Sequence, residues 1–452
     1  MKIPSRTIDR RSFLSGSGGA LLSGALGLQA KLAYAANVSG SGLLAPARTN
    51  FVPRAERLIF IFLTGGMSHV DTFDHKPALR RDKGKTVEGI NAVLGPQYLI
   101  PSQYEFHRQG ASGIMISELF PHLGGMADDL CVINSMHADH LGHFEATLSM
   151  HTGSTGVPLP GIGCWLSYGL GTLNRNLPPY VLLAKDMPYA GSQNWDSSFL
   201  PASHQGVRLL PGAEPIPNLR SPVQSLRIRE LEEKMLRDFN QMHADRHARD
   251  SNLLSRMNSF RTARGMMKVA PEVMDLSSES KAVKRLYGLS PDDVDSFAWQ
   301  CLVARRLSQS GVRVVEIFHQ GADLKKNWDN HEDVGKLSGL AKQVDRPIAG
   351  LLRDLKSLGM LDDTLVVIAT EFGRTPYERK PDHSGRNHQK DAFTCLLAGG
   401  GAKGGFVYGK TDEHGIEVAE DGVHVHDFHA TILHLMGLDH TRLTYHYGGR
   451  DF

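Results

Sequence analysis

The residues of this chain that could do chemistry stand beside apolar runs. After RLIFIFLT (57–64) come His69, Asp71, Asp74 and His75, and after LCVIN (130–134) come Ser135, His137, Asp139, His140, His143 and Glu145. After VRVVEIF (312–318) come His319, Asp329 and His331; TLVVIA (364–369) runs into TEFGRTP, with Glu371 and Arg374. Just before FTCLLA (393–398) stand Asp382, His383, Arg386 and His388. The chain holds 22 His, and folding alone gives no reason to crowd them beside these runs. Imidazole mixed with carboxylate suits Zn²⁺, Mn²⁺ or Fe, whereas Ca²⁺ wants oxygen only. The pattern predicts a metal site in which Glu371 ends its strand as a ligand.

The runs, with YVLLA (180–184), are continuous rather than alternating in hydrophobicity, as in parallel strands covered on both faces. Helical stretches lie between them: HFEATLSMH, SFAWQCLVARRLSQSG, and DRPIAGLLRDLKSLGML with Ile348, Leu351, Leu352 and Leu355 at helical spacing. This predicts an α/β fold with a mostly parallel sheet sandwiched between helices, and ligands at the carboxyl ends of the strands. Residues 225–285 are charged and helical without strands, which predicts a helical insertion. Segments 76–120 and 190–220 are long, irregular and rich in Gly, Pro and Ser, as functional loops are.

Charge and motif narrow the function classes. The formal net charge is only +2, so no overall field recruits nucleic acid or an anionic membrane. GGGAKGGFVYG (399–409) lacks both GxGxxG and a Lys-Ser/Thr ending and reads as a turn into a short hairpin, so no nucleotide is expected. GxSxG is absent, which argues against a serine α/β-hydrolase. The four cysteines (Cys131, Cys164, Cys301, Cys395) show no CxxC or metal-finger spacing and read as buried thiols.

The first 35 residues read as a twin-arginine export signal: Arg10-Arg11 in DRRSFL, a short apolar stretch, and AYA at 33–35 as cleavage site. An N-terminal membrane anchor is the alternative, but the stretch is short and rich in Gly and Ser for a span of ~20 residues. A linker over 36–56 and one domain over 57–452 would come after it, in a periplasmic or extracellular protein with no transmembrane span in the mature chain.

From about Arg57 to the C-terminus, and most specifically in its later part, the sequence resembles a family of twin-arginine-exported bacterial proteins, the domain-of-unknown-function 1501 family. GGMSHVDTFDHKP, WDNHED, LLRDLKSLGMLDDTLVVIATEFGRTP, GRNHQKDAFTCLLAGGGAKGGFVYGKTDEHG and VHVHDFHATILHLMGLD carry the resemblance. That family is placed near the alkaline phosphatase and sulfatase superfamily, which implies a two-metal site at the strand ends. Asp329 and His331 are similar to the superfamily's paired Asp and His ligands, and His388 to its final ligand His. Glu371-Phe372-Gly373 stands where Asp-His-Gly would, and Asp71 or His69 stands in for the first-strand Asp. The superfamily's Ser, Thr or Cys nucleophile falls at His143, so either the attacking group is a metal-bound hydroxide or His143 itself, or His143 is a further ligand, or hydrolysis has been lost.

The expectation is an exported hydrolase of phosphate or sulfate esters, acting on a small-molecule or polysaccharide substrate. His69, Asp71, Asp329, His331, Glu371 and His388 would hold two divalent ions such as Zn or Mn; His143 would serve catalysis, and Arg374 or Arg386 would clasp the anion. The alternative is a non-catalytic binding or assembly protein on the same fold, for which the missing Ser/Thr nucleophile speaks.

Overall fold

The computed structural model describes residues 44–87, 95–217, 219, 225–247, 250–320 and 327–452. The proposed signal, and the first part of the linker after it (36–43), lie outside these. Among the described residues, nine strands form the central sheet: β1 (Arg57–Leu63), β2 (Leu130–His137), β3 (Tyr180–Leu183), β4 (Val207–Leu209), β5 (Val314–His319), β6 (Thr364–Ala369), β7 (Phe393–Ala398), β8 (Phe406–Tyr408) and β9 (Val423–His424). They lie in the order β8-β2-β7-β6-β1-β5-β3-β4, with β9 beside β2.

All neighbours pair in parallel except at β7, which runs antiparallel to both β2 and β6. The fold is thus a mixed, mostly parallel sheet between helices. The reversal of β7 matters for the site. It brings the residues that precede β7, His388 among them, to the edge where the residues after β1, β5 and β6 emerge. The register aligns that edge, with Phe62 of β1 level with Phe318 of β5 and Ala369 of β6.

Strand alternation sorts the apolar residues into two cores. Ile59, Ile61, Leu63, Ile317 and Ile368 face α6 (Phe297–Gln309), α7 (Leu337–Ser357) and the end of α4 (Ser251–Met274). Leu58, Phe60, Phe62, Phe318 and Val367 face α1 (His143–Thr152), α2 (Ile162–Leu170) and α8 (Val425–Leu435). Each such side chain, fully buried, contributes roughly 1.5–3 kcal/mol. Between α2 and α4 the chain forms α3 (Leu226–Arg246), and α5 (Lys281–Tyr287) comes after α4.

Two local readings change. Helix α7 begins at Leu337, well before Pro347, and carries that proline in its interior. Near it lies Asp345, whose carboxylate accepts the backbone N–H groups of His122 and Leu123 at 2.9 and 2.7 Å. The glycines at 399–401 do turn the chain at positive φ, but they lead into an edge strand, β8, parallel to β2, rather than into a hairpin arm. The four cysteines are free and buried.

Candidate metal centre

The site is built around the turn that leaves β1. Gly65 and Gly66 have φ of +115° and +75°, which a side chain rarely tolerates. A Cβ on Gly65 would also lie 2.6 Å from the backbone nitrogen of Asp329. The bare turn lets the 327–329 segment close against β1, where Trp328 N–H donates to Thr64 O at 3.0 Å. Asp329 is positioned by this contact and by the Asn327 Oδ1 that accepts its N–H at 2.9 Å.

Three imidazoles converge on Asp329 Oδ1: Nε2 of His331 at 2.8 Å, of His143 at 3.3 Å and of His388 at 3.3 Å. Each ring has an oxygen at its other nitrogen. Nδ1 of His143 meets Glu371 Oε1 at 2.7 Å, Nδ1 of His388 meets the Leu141 carbonyl at 2.7 Å, and Nδ1 of His331 meets Asn387 Oδ1 at 3.2 Å. An N–H given to an oxygen at Nδ1 leaves Nε2 as the lone-pair nitrogen of a neutral ring, which is how histidine is prepared to bind a metal. Nε2 of His143 is buried and faces Asp329 Oδ1. The ligand atoms of His143, Asp329 and His388 lie within 4.8 Å of one another. Donors of this kind, two or three imidazoles and one carboxylate, fit Zn²⁺ or a similar divalent ion.

Electrostatics agree with that arrangement. Burial alone would raise Asp329, but hydrogen bonds from His143, His331 and His388 and the charge of Arg374 hold its carboxyl far below the usual range. Burial would lower His143, yet hydrogen bonds to Asp329 and Glu371 push it up to about 9. A cation at Nε2 would displace that proton. Burial lowers His388 despite its bond to Asp329.

Glu371 is fully buried behind His143, with Gly65 N–H 2.8 Å from Oε1 and 3.1 Å from Oε2. The Thr370 hydroxyl stands 3.1 Å from Oε2. With its oxygens so occupied, Glu371 reaches the cluster through the imidazole of His143. Phe372, also buried, packs its ring 4.8 Å from that of His143 and 4.5 Å from that of His388.

The remaining expected site residues take other partners. Arg374 gives its donors to Gly66 O, Gly65 O, Arg386 O and Asp329, so it braces the cluster from within the protein. Arg386 forms a buried two-pronged pair with Asp71, at 2.6 and 3.1 Å, and also donates to Ile100 O and Thr375 O. His69 is buried, with Nε2 2.9 Å from Gly415 O. His69, Asp71 and Arg386 are therefore engaged away from the convergent histidines.

Other residues of the site gave no motif signal. Tyr189 stacks on His143 with ring centres 4.5 Å apart, and its hydroxyl lies 3.3 Å from Asn327 Nδ2. Asn387 and Asn327 adjoin predicted ligands in NHQ and NWD, which is the one hint the sequence offers. Tyr189 lies in an irregular segment and could be found only by folding the chain.

A family model described as protein of unknown function (DUF1501) matches residues 55–452. No curated protein matches the sequence. Among solved structures, similarity extends to a protein in the alkaline phosphatase superfamily from Vibrio parahaemolyticus, with 10% identity over 88% of this chain and 70% of that one and a TM-score of 0.37. It extends also to the C-terminal periplasmic domain of EcEptC from Escherichia coli in complex with Zn, at 10% identity over 88% of each chain and a TM-score of 0.36. A third is the sulfatase PsFucS1 from Pseudoalteromonas sp., at 12% identity over 85% of this chain and 68% of that one, with a TM-score of 0.35.

Proposed function

The chain belongs to the DUF1501 family, and from that premise we propose that it is an exported, metal-dependent hydrolase of phosphate or sulfate esters. The observation that carries this reading is the convergence of three Nε2 atoms on Asp329 Oδ1, each ring having an oxygen at Nδ1. His143, Asp329 and His388 would hold one divalent cation, with His331 completing the set from the more exposed side. When bound, such an ion supplies Lewis-acid polarisation of an ester oxygen.

The chain's own residues would do the rest. Glu371 holds the Nδ1 proton of His143 and fixes the ring's direction. Arg374 sets Asp329 in place, and Tyr189 and Phe372 wall two faces of His143 against water. The attacking group would be water: Ser135 Oγ is committed to Asp421 O at 2.6 Å, and Thr147 is buried within α1.

One observation favours the second reading, a binding protein without turnover. Arg374 and Arg386 spend their donors on protein acceptors, so neither presents a free fork to an anion. Elemental analysis of the purified protein, with turnover of aryl phosphate and aryl sulfate before and after chelation, separates the two. Bound metal with chelator-sensitive turnover is expected; bound metal with no turnover would favour the binding reading. Metal retained in Asp329→Ala would remove the site assignment altogether.

A further inference from the structure

Helix α3 carries an apolar face that points away from the body of the protein. Its inner side rests on α4: Arg229, Glu233 and Asn240 are partly covered, Ala244 is buried, and Glu233 pairs with Arg264 of α4. Leu236 and Asn240 line a cleft against Met257 and Phe260 of the same helix α4. On the other side Ile228, Leu231, Met235, Phe239 and Met242 form one stripe, each between 51% and 63% exposed. Five large apolar side chains on one face mark a surface that is meant to be covered.

The composition of α3 says what covers it. Five basic residues (Arg227, Arg229, Lys234, Arg237, Arg246) are balanced by five acidic ones (Glu230, Glu232, Glu233, Asp238, Asp245). A helix that lies on an anionic bilayer is instead rich in Lys and Arg. The stripe is also a palindrome. Its intervals are three, four, four and three residues, so a two-fold axis at Met235 would set Ile228 against Met242 of a second copy, Leu231 against its Phe239, and Met235 against its Met235. Along one flank of the stripe the same antiparallel pairing brings Arg227 near Asp245 and Lys234 near Asp238, opposite charges in both cases.

We propose that α3 is the interface of a homodimer, in which two copies of this helix pack antiparallel across a two-fold axis near Met235. The contact is isologous, because the same patch serves both subunits. This proposal is independent of the metal site and of whether the protein turns over a substrate.

Sedimentation of the purified protein tests the state, and crosslinking tests the geometry. The wild type should sediment as a dimer at micromolar concentration. Met235→Glu, which sets two carboxylates against each other at the axis, should weaken dimerisation by roughly a hundredfold or more. Because Met235 is exposed, its metal content and circular dichroism should not change. Oxidised Met235→Cys should crosslink to itself, and Ile228→Cys should crosslink to Met242→Cys only when the two variants are mixed; the native thiols are buried and do not compete. Arg227→Glu and Asp245→Arg should each weaken the dimer, and the double variant should recover it. A monomer at concentrations up to ~100 μM, a range in which specific weak contacts are populated, overturns the proposal. So does an Ile228→Cys self-crosslink, which would mean parallel packing. Binding of the monomer to phosphatidylglycerol vesicles, abolished by Met235→Glu, would likewise replace it with a membrane-facing role.

Discussion

Glu371 Oε1 stands 2.7 Å from Nδ1 of His143, and the other nitrogen of that ring faces Asp329 Oδ1 at 3.3 Å. A buried carboxylate thus directs a histidine that directs its lone pair at the centre of the cluster. Orienting partners of this kind typically alter metal affinity by about 10–100-fold. Glu371→Gln should therefore weaken metal binding by about that factor while Asp329→Ala abolishes it. A competition titration against a chromophoric chelator measures both; equal losses would mean that Glu371 is itself a ligand.

Arg386 and Asp71 should behave as a structural pair. Removing one partner leaves the other charged and buried, which costs about 3–5 kcal/mol. Arg386→Ala should lower the urea midpoint by a corresponding amount. If Arg386 grips the substrate instead, the same variant would keep its stability and raise KM.

Acid should destabilise the fold through His204 and His319, which are buried, and His429, which is partly buried. Burial lowers His204, His319 and His429 from 6.5 to about 4. Trp328 Nε1 donates to Nδ1 of His319 at 3.0 Å, which that nitrogen can accept only when unprotonated. Above pH 6.5 the folded and unfolded chains are both neutral at these sites and the full stability is present. As pH falls from 6.5 towards 4 the unfolded chain takes up protons that the folded one refuses, so stability is progressively lost. Thermal unfolding monitored from about pH 7.5 to about pH 4.5 should show Tm falling through this window, and His319→Gln should make the fall shallower.

Gly65→Ala should damage the site more than a surface alanine could. It forces a Cβ into a positive-φ position and to within 2.6 Å of the Asp329 nitrogen, so the 327–329 segment must move. A loss of about 1–3 kcal/mol in stability is expected, together with weaker metal binding. Unchanged metal affinity would show that Asp329 is held by something other than this turn.

By itself the sequence determined the sheet and its loaded edge. Six apolar runs became strands because a continuous β-branched run of that length must be covered on both faces, and the histidines and acids that adjoin them could not be buried among those strands without partners. Asp329, His331, His388 and His143 were legible as candidates for this reason. Tertiary structure decided which candidates meet. The reversed direction of β7 brings His388 to the right edge, and its antiparallel pairing with β2 and β6 is not written in any strand's periodicity. Asp71 is withdrawn from the cluster by Arg386, 315 residues away in the chain. Glu371 stands just past its strand, which ends at Ala369, and Gly65, Thr370 and His143 meet its oxygens. A carboxylate's residue type is local, whereas the partner that neutralises it comes from wherever the fold closes, and that partner assigns its role.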